Sequence, residues 1–146
     1  MPGDAYYMLL MPPSLPGASE ADPNSLAPLV LIADDEVDIL NLVRVRLERS
    51  GFRVVATYSG DEALRLAREH KVDVAVLDVM MPGMTGLDVA KALRAEQPAL
   101  PIILLTARTE EADIRAGIAA GATAYVTKPF SPQELESRVT ELLRRA

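Results

Sequence analysis

The stretch that decides the fold is Val72-Asp73-Val74-Ala75-Val76-Leu77-Asp78-Val79-Met80-Met81-Pro82-Gly83-Met84-Thr85-Gly86, VDVAVLDVMMPGMTG. Its first half has the length and the β-branched composition of a strand, and Val74 to Leu77 is apolar without a break. A strand with one wet face alternates apolar and polar residues. One that is apolar on both sides must be covered on both sides, as in a parallel sheet flanked by helices. The run then closes on Asp78, followed at once by a Met-Met-Pro-Gly turn. Carboxylates avoid apolar surroundings unless something pairs with them. Asp78 is therefore either a polar stop at a strand end or an anion held in place for chemistry.

Working outward, residues 29–33 and 100–106 are apolar runs of the same kind, with Pro101 only near the start of the second, where a missing donor is tolerated. Residues 52–57 and 123–127 complete a set of five strands. Between them lie helical patterns. Residues 36–49 carry a stripe of Val37, Leu40, Val43 and Leu47 and stop at Ser50-Gly51. Ser59 opens a second helix through Ala63, Leu64 and Ala67, with Glu62 spaced to complete a capping box. A third runs from Gly86 to about Gln97, and a fourth from Thr109 to about Ala120, where Gly121 ends it. The last opens at Ser131-Pro132-Gln133-Glu134 and turns Leu135, Val139 and Leu142 inward. Strands alternating with helices predict an α/β, doubly wound, five-stranded parallel sheet with five helices.

The chain has 146 residues, 49% hydrophobic and 25% charged, the composition of one soluble domain. Residues 1–27 read as a Pro-rich, disordered tail: they hold Pro2, Pro12, Pro13, Pro16 and Pro23 and no Lys or Arg. Residues 28–146 read as the domain. The absence of cysteine excludes a disulfide framework, a thiolate metal site and a Cys nucleophile. A net charge of −6 argues against duplex nucleic acid as the direct partner of this segment. No apolar run approaches the roughly 20 residues of a membrane span, and a cytoplasmic location is expected. His70, the lone histidine, reads as helix-end surface.

In a parallel sheet the carboxyl ends of all strands share one edge, where ligands bind. The polar residues that break the apolar runs collect there: Asp34-Asp35-Glu36 after the first strand, Asp78 after the third, Thr106 after the fourth, and Lys128-Pro129 after the fifth. Two carboxylates about 4 Å apart repel by roughly 4 kcal/mol at an effective dielectric of 20. One lysine does not cancel three such charges; with a divalent cation the charges balance. Oxygen ligands without Cys or a nearby His suit a hard ion such as Mg²⁺.

Asp34-Asp35, Asp78 within VLDVMMPGMTG, LLTA at 104–107 and GATAYVTKPF at 121–130 resemble the response-regulator receiver domain of two-component signalling over roughly residues 29–145. The resemblance implies a flavodoxin-like strand order 2-1-3-4-5. It implies that Asp78 accepts a phosphoryl group from a sensor histidine kinase or phosphotransfer protein. Asp34, Asp35, Asp78 and the backbone carbonyl of Met80 are then the Mg²⁺ ligands, and Lys128 and Thr106 hold phosphoryl oxygens. The Lys128-Pro129 bond is expected to be cis. Thr106 and Tyr125 are the switch pair, acting on the face of the fourth helix, fifth strand and fifth helix, through which a homodimer could form. Tyr125 can also be read as a half-buried edge aromatic.

Such a protein is a phosphoacceptor signalling domain rather than an enzyme. Where an aspartyl-phosphate hydrolase places an acid, two residues past the nucleophile, this chain has Met80, so only slow self-dephosphorylation is expected. A flavodoxin-like mononucleotide binder would need a phosphate-cradling loop after the first strand, where this chain offers the repelling Asp-Asp-Glu. Glu36 reads as charge at a helix N-terminus rather than a ligand. The alternative reading is a phosphorylation-independent pseudo-receiver serving as an interaction module. Stand-alone and DNA-binding outputs both remain open.

Overall fold

The computed structural model describes residues 27–107 and 111–145; the tail expected over residues 1–27, apart from Ala27, and the start of the fourth helix at Thr109 fall outside them. The elements follow in strict alternation. They are β1 (Leu29–Ala33), α1 (Val37–Arg49), β2 (Arg53–Thr57), α2 (Gly60–Glu69), β3 (Val74–Asp78), α3 (Gly86–Glu96), β4 (Ile102–Thr106), α4 (Glu111–Ala119), β5 (Ala124–Thr127) and α5 (Pro132–Arg145). The strands form one parallel sheet in the order β2-β1-β3-β4-β5. The lack of alternation in β1 and β3 has its cause here: both are central, and all five residues of each are buried. The edge strands β2 and β5 have partly open positions along their length, while central β4 opens only at its tip, Thr106.

Each strand divides its side chains between two cores. Leu29, Leu31, Ala33, Ala75, Leu77, Ile102 and Leu104 point to the side covered by α2 and α3, meeting Ala63, Leu64, Val89 and Leu93. Val30, Ile32, Val74, Val76, Ile103 and Leu105 point to the side of α1 and α5, meeting Leu40, Val43, Leu47, Leu135, Val139 and Leu142. Fully burying such side chains is worth roughly 1.5–3 kcal/mol each. A one-residue slip of any central strand would exchange its two sets between unlike layers, so the register is fixed.

Two caps differ from the sequence reading. Ser59 accepts the Glu62 N–H at 3.2 Å, but the Glu62 carboxylate binds Arg65 instead of closing the box, and the Ser59 N–H turns to Thr57 Oγ1. The reciprocal box forms at α3, where Thr85 Oγ1 accepts the Asp88 N–H and Asp88 accepts the Thr85 N–H. Asp can close a box that is usually written with Glu, which is why the pattern was missed.

Candidate functional site

Register brings the acids together. Ala33 pairs with Leu77, so the next residues, Asp34 and Asp78, leave adjacent strands side by side. Neighbouring strands lie about 4.8 Å apart. Thr106 pairs with Thr127 at the tips of β4 and β5, so Lys128 follows two strands from Asp78. Only a long side chain crosses β4 from there.

The turn after β3 fixes Asp78 from behind. Gly83 has φ +73°, in the left-handed region that suits glycine. The chain then folds back, and the Gly86 N–H donates to the Val79 carbonyl at 3.1 Å. A Cβ at Gly86 would run into the Asp78 carbonyl, so glycine is what lets α3 start against the strand tip. The Met80 N–H donates to Asp78 Oδ1 at 3.2 Å, while the Met80 side chain is exposed. On the far side of the sheet edge, the Lys128-Pro129 peptide is cis, as expected from the sequence, and the Lys128 N–H donates to the Thr106 carbonyl at 2.7 Å.

One carboxylate oxygen from each of Asp34, Asp35 and Asp78 lies within 4.8 Å of the others, with Asp34 and Asp78 buried and Asp35 exposed. The Lys128 ammonium stands 3.0 Å from Asp34 Oδ2 and 3.1 Å from Asp78 Oδ2. Asp34 Oδ1 accepts the Glu36 N–H at 2.9 Å. Asp34 Oδ2 is buried without an aligned hydrogen bond; its contact with Lys128 is one of charge and proximity. A buried carboxylate oxygen facing two other acids, in a ring made only of oxygen donors, fits a hard divalent cation. Burial, reinforced by the Asp34 carboxylate and opposed by Lys128, raises the Asp78 pKa from 3.8 to about 6. Burial works against the Lys128 charge, but hydrogen bonds to Glu36 and Asp78 and the close Asp34 carboxylate outweigh it and hold its pKa above the ordinary lysine value.

Reading Glu36 as helix-end charge alone missed its main contact: Oε1 accepts from Lys128 Nζ at 2.6 Å, across 92 positions of sequence. Helical periodicity carries no signal for so distant a partner. The charge balance changes with it: the site holds four carboxylates, three of them in contact with its one ammonium. Thr106 is half-buried at the tip of β4. Tyr125 lies outside the carboxylate cluster, 41% exposed on β5, yet it and Thr106 line one cleft of about 830 Å³ together with Leu87, Leu104 and Gly117.

Residues 30–140 match the family described as response regulator receiver domain. The alkaline phosphatase synthesis transcriptional regulatory protein PhoP of Bacillus subtilis is 46% identical over 117 residues, 80% of this chain and 49% of that protein. The probable transcriptional regulatory protein TcrX of Mycobacterium tuberculosis is 46% identical over 116 residues, 80% of this chain and 50% of that protein. The chain thus spans about half the length of the curated relatives it matches. Among solved structures, the chemotaxis protein CheY4 of Vibrio cholerae superposes with a TM-score of 0.76 at 35% identity, covering 80% of this chain and 98% of that one. The BeF3-activated DrrB receiver domain gives 0.75 at 33%, covering 82% and 100%.

Proposed function

This chain belongs to the response regulator receiver domain family, a signalling domain of two-component systems, and on that premise we propose that Asp78 accepts a phosphoryl group from a phosphohistidine of a sensor histidine kinase or phosphotransfer protein. The observation that carries the reading is the convergence of Asp34, Asp35 and Asp78 within 4.8 Å, beside an ammonium 3.1 Å from Asp78. An Asp78 carboxylate oxygen attacks phosphorus in line. The P–O bond of an acyl phosphate forms, the P–N bond breaks, and the imidazole leaves with the electron pair. Lys128 supplies a point charge to one phosphoryl oxygen and Thr106 a hydroxyl to another. Mg²⁺, held by Asp34, Asp35, Asp78 and the Met80 carbonyl, supplies neutralisation of the phosphoryl oxygens when bound. The exposed thioether of Met80 cannot act as an acid, which suits a slowly hydrolysed signal rather than an enzyme's turnover.

The switch uses the cleft that Thr106 and Tyr125 share. Drawing Thr106 toward a phosphoryl oxygen opens room into which Tyr125 turns from its exposed position, reshaping the α4-β5-α5 face and favouring a homodimer through it. Residues 28–146 are the receiver domain and 1–27 a tail. The curated relatives are named as transcriptional regulators, and a DNA-binding output is the corresponding proposal for the whole protein. The acidic segment itself makes no nucleic-acid contact. No helix among the described residues is long and apolar enough to cross a membrane, and a cytoplasmic location is proposed.

The test is mass spectrometry of the intact protein after incubation with acetyl phosphate and Mg²⁺. A gain of about 80 Da, one phosphoryl group, is expected for the wild type and no gain for Asp78→Asn. No gain in the wild type would leave the pseudo-receiver reading in its place. Labelling that persists in the variant would remove Asp78 from the role.

A further inference from the structure

Glu36 stands at the N-terminal boundary of α1, yet its side chain makes no capping hydrogen bond there. Glutamate is a poor choice for that position, where Ser, Thr, Asp and Asn are preferred. Its carboxylate is committed elsewhere. At 2.6 Å it is the closest of the three anions around the Lys128 ammonium, against 3.0 Å for Asp34 and 3.1 Å for Asp78. An ammonium has three N–H donors, and three carboxylates crowd them. The backbone of Glu36 is held on both sides, its N–H on Asp34 Oδ1 and its carbonyl on the Leu40 N–H. Its side chain, 55% exposed, can withdraw into water, whereas the Asp34 and Asp78 side chains are 1% and 6% exposed and cannot.

We infer that Glu36 is a positioning residue that competes with the phosphoryl group for the Lys128 ammonium, and so sets how tightly the site holds that group. The inference rests on the phosphoacceptor reading above. A phosphoryl group arrives as an anion that needs the donors of Lys128, and one carboxylate has to yield. Glu36 is the one whose release leaves no buried charge behind. Its charge also remains after a cation binds: four carboxylates against one ammonium leave three negative charges, and a divalent ion leaves one.

The test is calorimetric titration of beryllofluoride, a phosphoryl stand-in, at saturating Mg²⁺, into the wild type, Glu36→Gln, Lys128→Ala and the double variant. Glu36→Gln is expected to bind about three- to tenfold more tightly, the range for removing one partly screened charge a few ångströms away. Lys128→Ala binds more weakly, and in that background the gain from Glu36→Gln shrinks to within about twofold, because the two act through one contact. Wild-type affinity in Glu36→Gln overturns the inference. So does an equal gain in both backgrounds, which would be charge repulsion without Lys128. Both outcomes leave the phosphoacceptor reading standing, provided that the wild type binds and Lys128→Ala weakens it. A wild type that does not bind at all overturns both.

Discussion

Removing the charge of Asp78 while keeping its shape should stabilise the cation-free protein. Asp78→Asn resembles the protonated acid, and the folded chain raises the pKa of that acid from 3.8 to about 6 by burial and by the Asp34 charge, against Lys128. Between these values the folded state binds more protons than the unfolded one, so stability falls as pH rises through that window, and the full penalty is present above it. About two pKa units correspond to about 3 kcal/mol. Movement of Lys128 toward Glu36 and water entering beside the exposed Asp35 reduce this, so a gain of about 1–2 kcal/mol is expected for Asp78→Asn at pH 7.5. For a domain of this size that raises the thermal midpoint by about 3–10 °C. The assay is thermal unfolding by circular dichroism in EDTA at pH 7.5 and pH 4. Most of the advantage should vanish at pH 4, where Asp78 is protonated in the folded wild type. Mg²⁺ at ten times its dissociation constant should then stabilise the wild type by about 1.4 kcal/mol and the variant by much less. An Asp78→Asn midpoint at or below that of the wild type in EDTA at pH 7.5 would refute the electrostatic reasoning, as would a gain that does not change with pH.

Gly86→Ala should cost about 3 kcal/mol in urea unfolding, because its Cβ meets the Asp78 carbonyl and the start of α3 must move; an unchanged midpoint would show that the turn relaxes freely. Thr85→Ala should cost about 1 kcal/mol through loss of the capping box with Asp88, measured in the same way. Arg94→Ala should cost about 1–3 kcal/mol, since its guanidinium joins the end of α3 to the turn after α4 through the carbonyls of Gly121, Gln97 and Pro98. Hydrogen exchange should locate that loss at the α4–β5 turn, and uniform exchange across the sheet would count against it. Sedimentation with and without beryllofluoride and Mg²⁺ should show a larger species only with the ligand; one mass under both conditions removes the homodimer.

Short-range physics made the architecture legible from the sequence. Unbroken apolar runs such as Val74–Leu77 could only be strands covered twice, and the stripes of α1 and α5 could only be helices laid on them. Asp34, Asp35, Asp78 and Lys128 stood out because each breaks such a run at the end where a parallel sheet gathers its strand tips, so their meeting followed from topology. The tertiary structure decided what depends on distance through space. Glu36 reaches Lys128 across 92 positions, and Arg94 clamps a turn 27 residues away. A long polar side chain has several partners within reach of its helix position, and periodicity scores all of them alike. Which one it takes depends on where the other elements have been packed.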